Sequence, residues 1–252
     1  MNKKINIAVD AMGGDDSPGK IVRGIEISLK KNRDNFFLLY GKEDLIKKEI
    51  KDTNLFEQNC KIINTEETIE SEESPLSAAK KGNKSSMWRC IESQKNNTAD
   101  ISLSAGNTGA LLLMSKLILN TIEGINKPAL AGLWPNMNDM SIVLDLGANI
   151  ECNEKNMVDF ASMGSALYKA LFDKSTPKVA LLNVGTEEIK GNDVLKKTSN
   201  ILKENIIKNF EFYGYIEGNK IMNGDVDVIV TDGFTGNIAL KTAEGTANFI
   251  TK

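Results

Sequence analysis

Short apolar runs alternate with longer stretches of helical periodicity along most of the chain. Residues 5–9 form a compact apolar run, and Gly19–Lys31 places its hydrophobic positions at helical spacing. Ser17 reads as the N-cap of that helix and Pro18 as its first residue. Residues 36–40 and Cys60–Asn64 read as further strands, with a polar helix over 43–51 between them. Residues 65–76 are acidic and read as a linker. A helical stretch follows over 77–95, interrupted at Gly82 and Asn83, and 65–95 together read as a mobile helical insert. Residues 101–105 are strand-like, and 110–120 are apolar on nearly every side, the pattern of a buried helix. Residues 129–134 and 141–144 flank a polar turn, which predicts a hairpin with one antiparallel strand. The alternation continues with a helix over Glu154–Phe172, a strand over 178–182, a helix over 193–207, strands over 211–216 and 226–230, and a helix over 237–250. This order predicts an α/β protein with a mainly parallel sheet.

Five of the strand-like runs end in the same way, with glycine beside Asp, Asn or Thr. The clearest is Gly106-Asn107-Thr108-Gly109, which separates a strand from an apolar helix. In an open α/β sheet such a turn lies at the carboxyl end of the strand, where ligands bind. The first amides of the helix have no intrahelical acceptor, and the helix dipole adds positive potential there. Gly106 and Gly109 keep side chains away from those amides, while Asn107 and Thr108 add polar contacts. The same grammar recurs at Asp10 with Gly13, Gly14 and Asp15; at Asp145 with Gly147 and Asn149; at Asn183 with Gly185, Thr186, Lys190 and Asn192; and at Asp232 with Gly233, Thr235, Gly236 and Asn237. One parallel sheet would bring all five ends to a single polar crevice.

Composition narrows the chemistry. The 252 residues carry a net charge of −3, so nothing global suggests a nucleic-acid partner. Lys80, Lys81, Lys84 and Arg89 follow the acidic linker and form a local basic patch. The three cysteines are far apart and have no metal-like spacing, which fits a reduced, cytoplasmic setting without a bound metal. No histidine is present, which removes Ser-His-Asp and Cys-His catalysis and His-ligated metals. GxGxxG and GxxxxGK[ST] are also absent, so neither a dinucleotide fingerprint nor a P-loop is present and no cofactor is expected. The crevice suits a small oxyanion or a phosphate-bearing substrate.

Taken in order, the five glycine turns resemble those of the bacterial phosphate acyltransferases of phospholipid synthesis. Ser74-Pro75-Leu76 and Lys84-Ser85-Ser86-Met87 resemble the mobile middle segment of that family. The resemblance covers the whole chain as one acyltransferase domain. It implies a three-layer α/β/α fold similar to phosphotransacetylase and the isopropylmalate dehydrogenases, assembled as a homodimer. It also implies transfer of a fatty acyl group from acyl carrier protein to inorganic phosphate. A membrane acyltransferase then uses the acyl phosphate to acylate glycerol 3-phosphate, which leaves room for peripheral contact with the inner face of the cell membrane.

Phosphate needs no protein nucleophile to attack a thioester, only a holder beside the carbonyl and a donor for the oxyanion. The backbone amides at Gly106–Gly109 and Gly233–Asn237 are the candidate holders of phosphate, the Gly106–Gly109 turn first, with Lys190 as a further partner. Asn107, Asn149, Asn183 and Asn192 are the candidate neutral donors, the Asn107 turn and the Gly185–Asn192 loop foremost. Asp10, Asp15 and Asp232 are better suited to orienting amides or a lysine. Three other readings share these residues: a phosphotransacetylase-like enzyme using acyl-CoA, a relative of the decarboxylating dehydrogenases, and a catalytically silent carrier-protein adaptor. Relatives extend past the helix that opens near Asn237 with a His-Gly motif and an amphipathic hairpin. The 252 residues alone are therefore expected to keep the crevice but to show low activity, poor membrane recruitment and a tendency to aggregate.

Overall fold

The computed structural model describes residues 5–204 and 209–252. The chain divides into two compact units, Met1–Thr121 and Ile122–Lys252. The first contains β1 (Asn6–Asp10), α1 (Gly19–Lys31), β2 (Phe36–Gly41), α2 (Glu43–Glu49), α3 (Thr53–Asn59), β3 (Cys60–Asn64), α4 (Pro75–Lys81), α5 (Ser86–Lys95), β4 (Ile101–Leu103) and α6 (Thr108–Leu119). Its sheet has the order β3-β2-β1-β4 and is parallel throughout. Alternate side chains along β1 and β2 face opposite layers, as the two-residue period of a strand requires. Val9, Phe37 and Leu39 pack with Ile25 and Leu29 of α1 and with Leu55 and Phe56 of α3. Ala8, Leu38 and Tyr40 pack on the other side with Cys90 of α5.

The second unit contains β5 (Ala131–Pro135), β6 (Met140–Leu144), α7 (Glu154–Phe172), β7 (Lys178–Asn183), α8 (Asp193–Glu204), β8 (Glu211–Glu217), a 3-10 turn (Gly218–Asn223), β9 (Val228–Val230) and α9 (Gly233–Thr251). The order is β5-β6-β9-β7-β8, with β5 antiparallel and the other pairs parallel. Ile142, Leu144, Val179, Leu181, Val228 and Val230 pack under α7 and α8. Val143, Ala180, Leu182 and Ile229 pack against the 3-10 turn and α9. Each unit is thus a sheet between two helical layers, and the expected antiparallel hairpin is β5–β6.

Several sequence expectations change here. The five glycine turns do not share one sheet edge: two follow β1 and β4, and three follow β6, β7 and β9. The strand–turn–helix pattern is local, whereas sheet membership depends on pairing between distant strands. Ser17 does not cap α1; its hydroxyl donates to Gly13 O (2.6 Å), and the helix begins at Gly19. Within the expected insert over 65–95, α5 packs as a layer of the first unit, with Met87, Cys90 and Ile91 buried. α6 buries Ala110, Met114 and Ile118, while Leu117 and Leu119 are exposed. The expected helix over 193–207 is α8 as far as Glu204, and its last three positions lie outside the described residues. Among the described residues, no helix is long and apolar enough to cross a membrane.

Candidate active site

In the first unit, β1 and β4 are neighbours, so their following turns lie side by side. Asp10 is buried, and its carboxylate accepts from Met12 N (3.2 Å) and from the Ser104 hydroxyl (2.7 Å). Ser104 Oγ in turn accepts from Gly106 N (3.1 Å). Gly13 and Gly106 let the two turns touch: a Cβ on Gly13 would lie 2.8 Å from Gly106 N. Gly14 has φ +87° and faces Ala105 O, while Asp15 is exposed. Asn107 caps α6, its Oδ1 accepting from Ala110 N (3.0 Å), and its Nδ2 donates to Ser71 O and Glu73 O. Gly109 makes room for Pro75, whose Cγ would lie 2.7 Å from an added Cβ, and Thr108 is exposed. The glycines of this turn therefore admit protein, and the Asn107 amide is already engaged.

In the second unit the carboxyl ends of β6, β9 and β7 are adjacent. Asp145 follows β6 and is fully buried. Its carboxylate accepts five hydrogen bonds, from Leu130 N, Gly147 N, Ala148 N, Asn149 N and Asn149 Nδ2, at 2.8–3.1 Å. This pattern wraps residues 147–149 around one charge, and each bond to an ionised group is stronger than its neutral counterpart. Asn149 Nδ2 also donates to Pro128 O (2.7 Å), and Asn149 O accepts from Gly233 N (2.8 Å). A Cβ on Gly233 would lie 2.7 Å from Asn149 O, and one on Gly236 would overlap the Asp145 carbonyl. These glycines seat the first turn of α9 against the loop. Asp232 caps that helix, accepting from Thr235 N (2.8 Å) and the Thr235 hydroxyl (3.0 Å). Asn237 is exposed and lies beside Gly147.

Asn183 ends β7 and closes the loop over 184–191. Its Nδ2 donates to Gly185 O (3.1 Å) and Lys190 O (3.3 Å), which fixes the orientation of the amide because a flip would set oxygen against two carbonyls. Its Oδ1 is buried with no hydrogen-bond partner and packs over Gly191, whose φ is +87°. Thr186 is exposed on the same loop, and the Lys190 stem lies across Gly185. Glu188 pairs with Lys203, whereas Lys190 is exposed and has no ion-pair partner among the described residues. Asn192 then caps α8 through Oδ1, which accepts from Leu195 N (2.9 Å). Its Nδ2 has no acceptor among the described residues. Of the four candidate neutral donors, Asn107, Asn149 and Asn183 are engaged, and Asn192 alone has its amide hydrogens available.

Two cavities flank this residue within the second unit. One, of about 580 Å³, is lined by Cys152, Asn192, Asp232, Phe234 and Thr235 among others. The other, of about 690 Å³, is lined by Asn183, Asn192, Asp232 and Thr235 over an aliphatic floor that includes Leu182, Ile221 and Ala239. The cavities share Asn192, Leu195, Asp232 and Thr235. Sequence reasoning placed the polar rim but missed the floor. Ile221 lies in a 3-10 turn that no periodicity announced, and Leu182 and Ala239 read only as parts of a strand and a helix. The role of Asp145 as organiser of its loop was also missed, although an Asp directly after a buried strand and before two turn residues was the available signal.

Mainly parallel sheets between helical layers, with polar glycine turns at the strand ends, define an α/β class in which ligands bind at that edge. The fold is similar to a phosphotransacetylase from Streptococcus pyogenes, with a TM-score of 0.71 at 17% identity, covering 98% of this chain and 83% of that one. It is also similar to a branched-chain phosphotransacylase from Enterococcus faecalis V583, with a TM-score of 0.63 at 14% identity, covering 94% and 83%. At the sequence level the chain belongs to the family described as "Fatty acid synthesis protein", which it matches over residues 5–252. It is 57% identical to a phosphate acyltransferase from Pelagibacter ubique (strain HTCC1062), covering 100% of this chain and 75% of the relative. A phosphate acyltransferase from Azorhizobium caulinodans is 44% identical, with 99% and 71% covered.

Proposed function

We propose that this chain transfers a fatty acyl group from the thioester of acyl carrier protein to inorganic phosphate. A phosphate oxygen attacks the thioester carbonyl carbon and a C–O bond forms. The C–S bond of the tetrahedral intermediate then breaks, releasing acyl phosphate and a thiolate that takes up a proton. The reading is supported chiefly by Asn192, a donor with a free amide at the shared wall of two cavities. Its Nδ2 donates to the developing oxyanion, while Lys190 two residues away supplies positive charge for phosphate. Asp232 and Thr235 hold the first turn of α9, with Gly233, Gly236 and Asn237, as the facing wall. Asn183, Gly185 and Thr186 shape the loop that carries Lys190, and Asn149 fixes the loop behind α9.

In the first unit, Asp10, Gly13, Gly14, Asp15, Gly106, Asn107, Thr108 and Gly109 maintain the paired turns. Acidic acyl carrier protein approaches the exposed Lys80, Lys81, Lys84 and Arg89; the three lysines have no ion-pair partner among the described residues, and Arg89 pairs with Glu92. The enzyme acts as a cytoplasmic homodimer, touches the membrane surface peripherally, and passes acyl phosphate to a membrane glycerol-3-phosphate acyltransferase.

Hydroxylamine trapping of acyl phosphate tests the reaction. With acyl carrier protein thioester as donor, the hydroxamate is expected to rise with phosphate and saturate. A stronger signal from acyl-CoA would favour a phosphotransacetylase-like enzyme, and tight carrier binding without hydroxamate would favour the adaptor.

A further inference from the structure

The cavity of about 690 Å³ is strongly asymmetric. Its polar side chains, Asn183, Asn192, Asp232 and Thr235, all come from the strand-end turns and helix caps. The remaining side chains are aliphatic: Leu182, Val184, Leu195, Ile221, Ile238 and Ala239. Leu182 and Ile221 are only 7% and 5% exposed, and Ala239 packs against the same cluster. Val184 and Ile238 are 78% and 51% exposed. Apolar residues left this open gain free energy when an apolar group covers them. A volume of this size is in the range that encloses a small organic ligand.

The occupant must match that asymmetry. A carrier's amide-rich arm needs donors and acceptors along its length. The deep wall has none among its side chains: Nδ2 of Asn183 is engaged and its Oδ1 is covered by Gly191. A hydrocarbon chain needs none. Its head group would meet Asn192, Asp232 and Thr235, where the proposed reaction takes place.

We propose that this cavity receives the aliphatic chain of the acyl group, and that Ile221 and Ala239 set the length accepted. The assignment rests on the acyl-transfer reading above, but it can fail separately. Leucine at position 239 would extend into the cavity, and alanine at 221 would deepen it.

The test is calorimetric titration of the chain with n-alkyl phosphates of increasing length, alongside acyl phosphate synthesis from thioesters of the same lengths. Affinity is expected to rise by about fourfold per methylene that enters the cavity, then level off. In Ala239→Leu the levelling comes at a shorter chain, and in Ile221→Ala at a longer one; should the latter not fold, the former carries the test. Affinity independent of chain length, or a plateau unmoved by Ala239→Leu, would overturn the assignment. Normal synthesis with an unshifted length profile sinks the cavity assignment alone. A length-dependent affinity that shifts with Ala239→Leu, in a chain that makes no acyl phosphate, sinks the reaction and leaves the cavity an alkyl-chain site.

Discussion

Asn183 holds the 184–191 loop closed, and removing its side chain should open that loop before the rest of the unit. Asn183→Ala deletes two hydrogen bonds to backbone carbonyls, at 3.1 and 3.3 Å. Each is worth about 1 kcal/mol net, and a carbonyl left buried without a donor costs about 1–3 kcal/mol. The Lys190 carbonyl can turn to water on this exposed loop, whereas Gly185 is buried, so the two losses are unequal. A local cost of about 2 kcal/mol makes the open loop ~30-fold more populated. Lys190 is itself a trypsin site, so limited proteolysis reads that population directly, with cleavage after Lys190 identified by mass. Asn183→Asp is the matched control: it preserves shape but sets a carboxylate against both carbonyls, and it should open the loop at least as far as alanine. If cleavage after Lys190 stayed at the parent rate while global stability fell by the full amount, Asn183 would be a core residue only. The account of how Lys190 is positioned would then be wrong.

Other outcomes follow from single contacts. Gly236→Ala places a methyl group on the Asp145 carbonyl and should lower urea stability by at least about 3 kcal/mol, whereas Gly245→Ala on the same helix meets nothing within 4 Å and should raise it by about 0.5–1 kcal/mol. Equal effects at the two glycines would refute the packing of α9 on the 145–149 loop. Burial pushes the Cys90 thiol from its ordinary 9.0 up to about 12. The folded chain therefore keeps a proton that the unfolded chain releases, so this contribution to stability is complete below about pH 9 and declines between pH 9 and 12. Denaturation measured across that range should show a shallower decline in Cys90→Ala than in the parent.

The strand–turn–helix grammar was legible because its signals are local: glycine, Asx residues and the change in hydrophobic period all lie within one short stretch. Helix α7 and strand β3 begin and end where the sequence places them, and α1 ends there. Pairing was not legible. Nothing around Leu103 or Leu144 says that one strand joins β1 and the other β9. Helix α3 escaped notice because Leu55 and Phe56 are its only large apolar residues, and its cap at Asp52 stands in a polar run. At the site, sequence put forward four asparagines, with the Asn107 turn and the 185–192 loop foremost. For two of them the inequality arises from partners far away in the chain, Ser71 and Glu73 for Asn107 and Pro128 for Asn149, and for Asn183 from the closing of its own loop on Gly185 and Lys190. Only the folded arrangement leaves Asn192 with an unoccupied amide.

The central claim is that the strand-end edge of the second unit holds the reacting phosphate. The phosphate dependence of acyl phosphate formation tests it most directly, compared across the parent, Lys190→Ala, Asn192→Ala and Thr108→Ala. Loss of the Lys190 charge should raise the phosphate KM by about tenfold or more, while the KM for the thioester stays near its parent value. Asn192→Ala should act mainly on kcat, by about a hundredfold, as expected for an oxyanion donor. Thr108→Ala, on the first unit, should leave both constants near the parent values. An unchanged phosphate KM in Lys190→Ala, together with a large increase in Thr108→Ala, would place the anion at the first unit's turn and contradict the account.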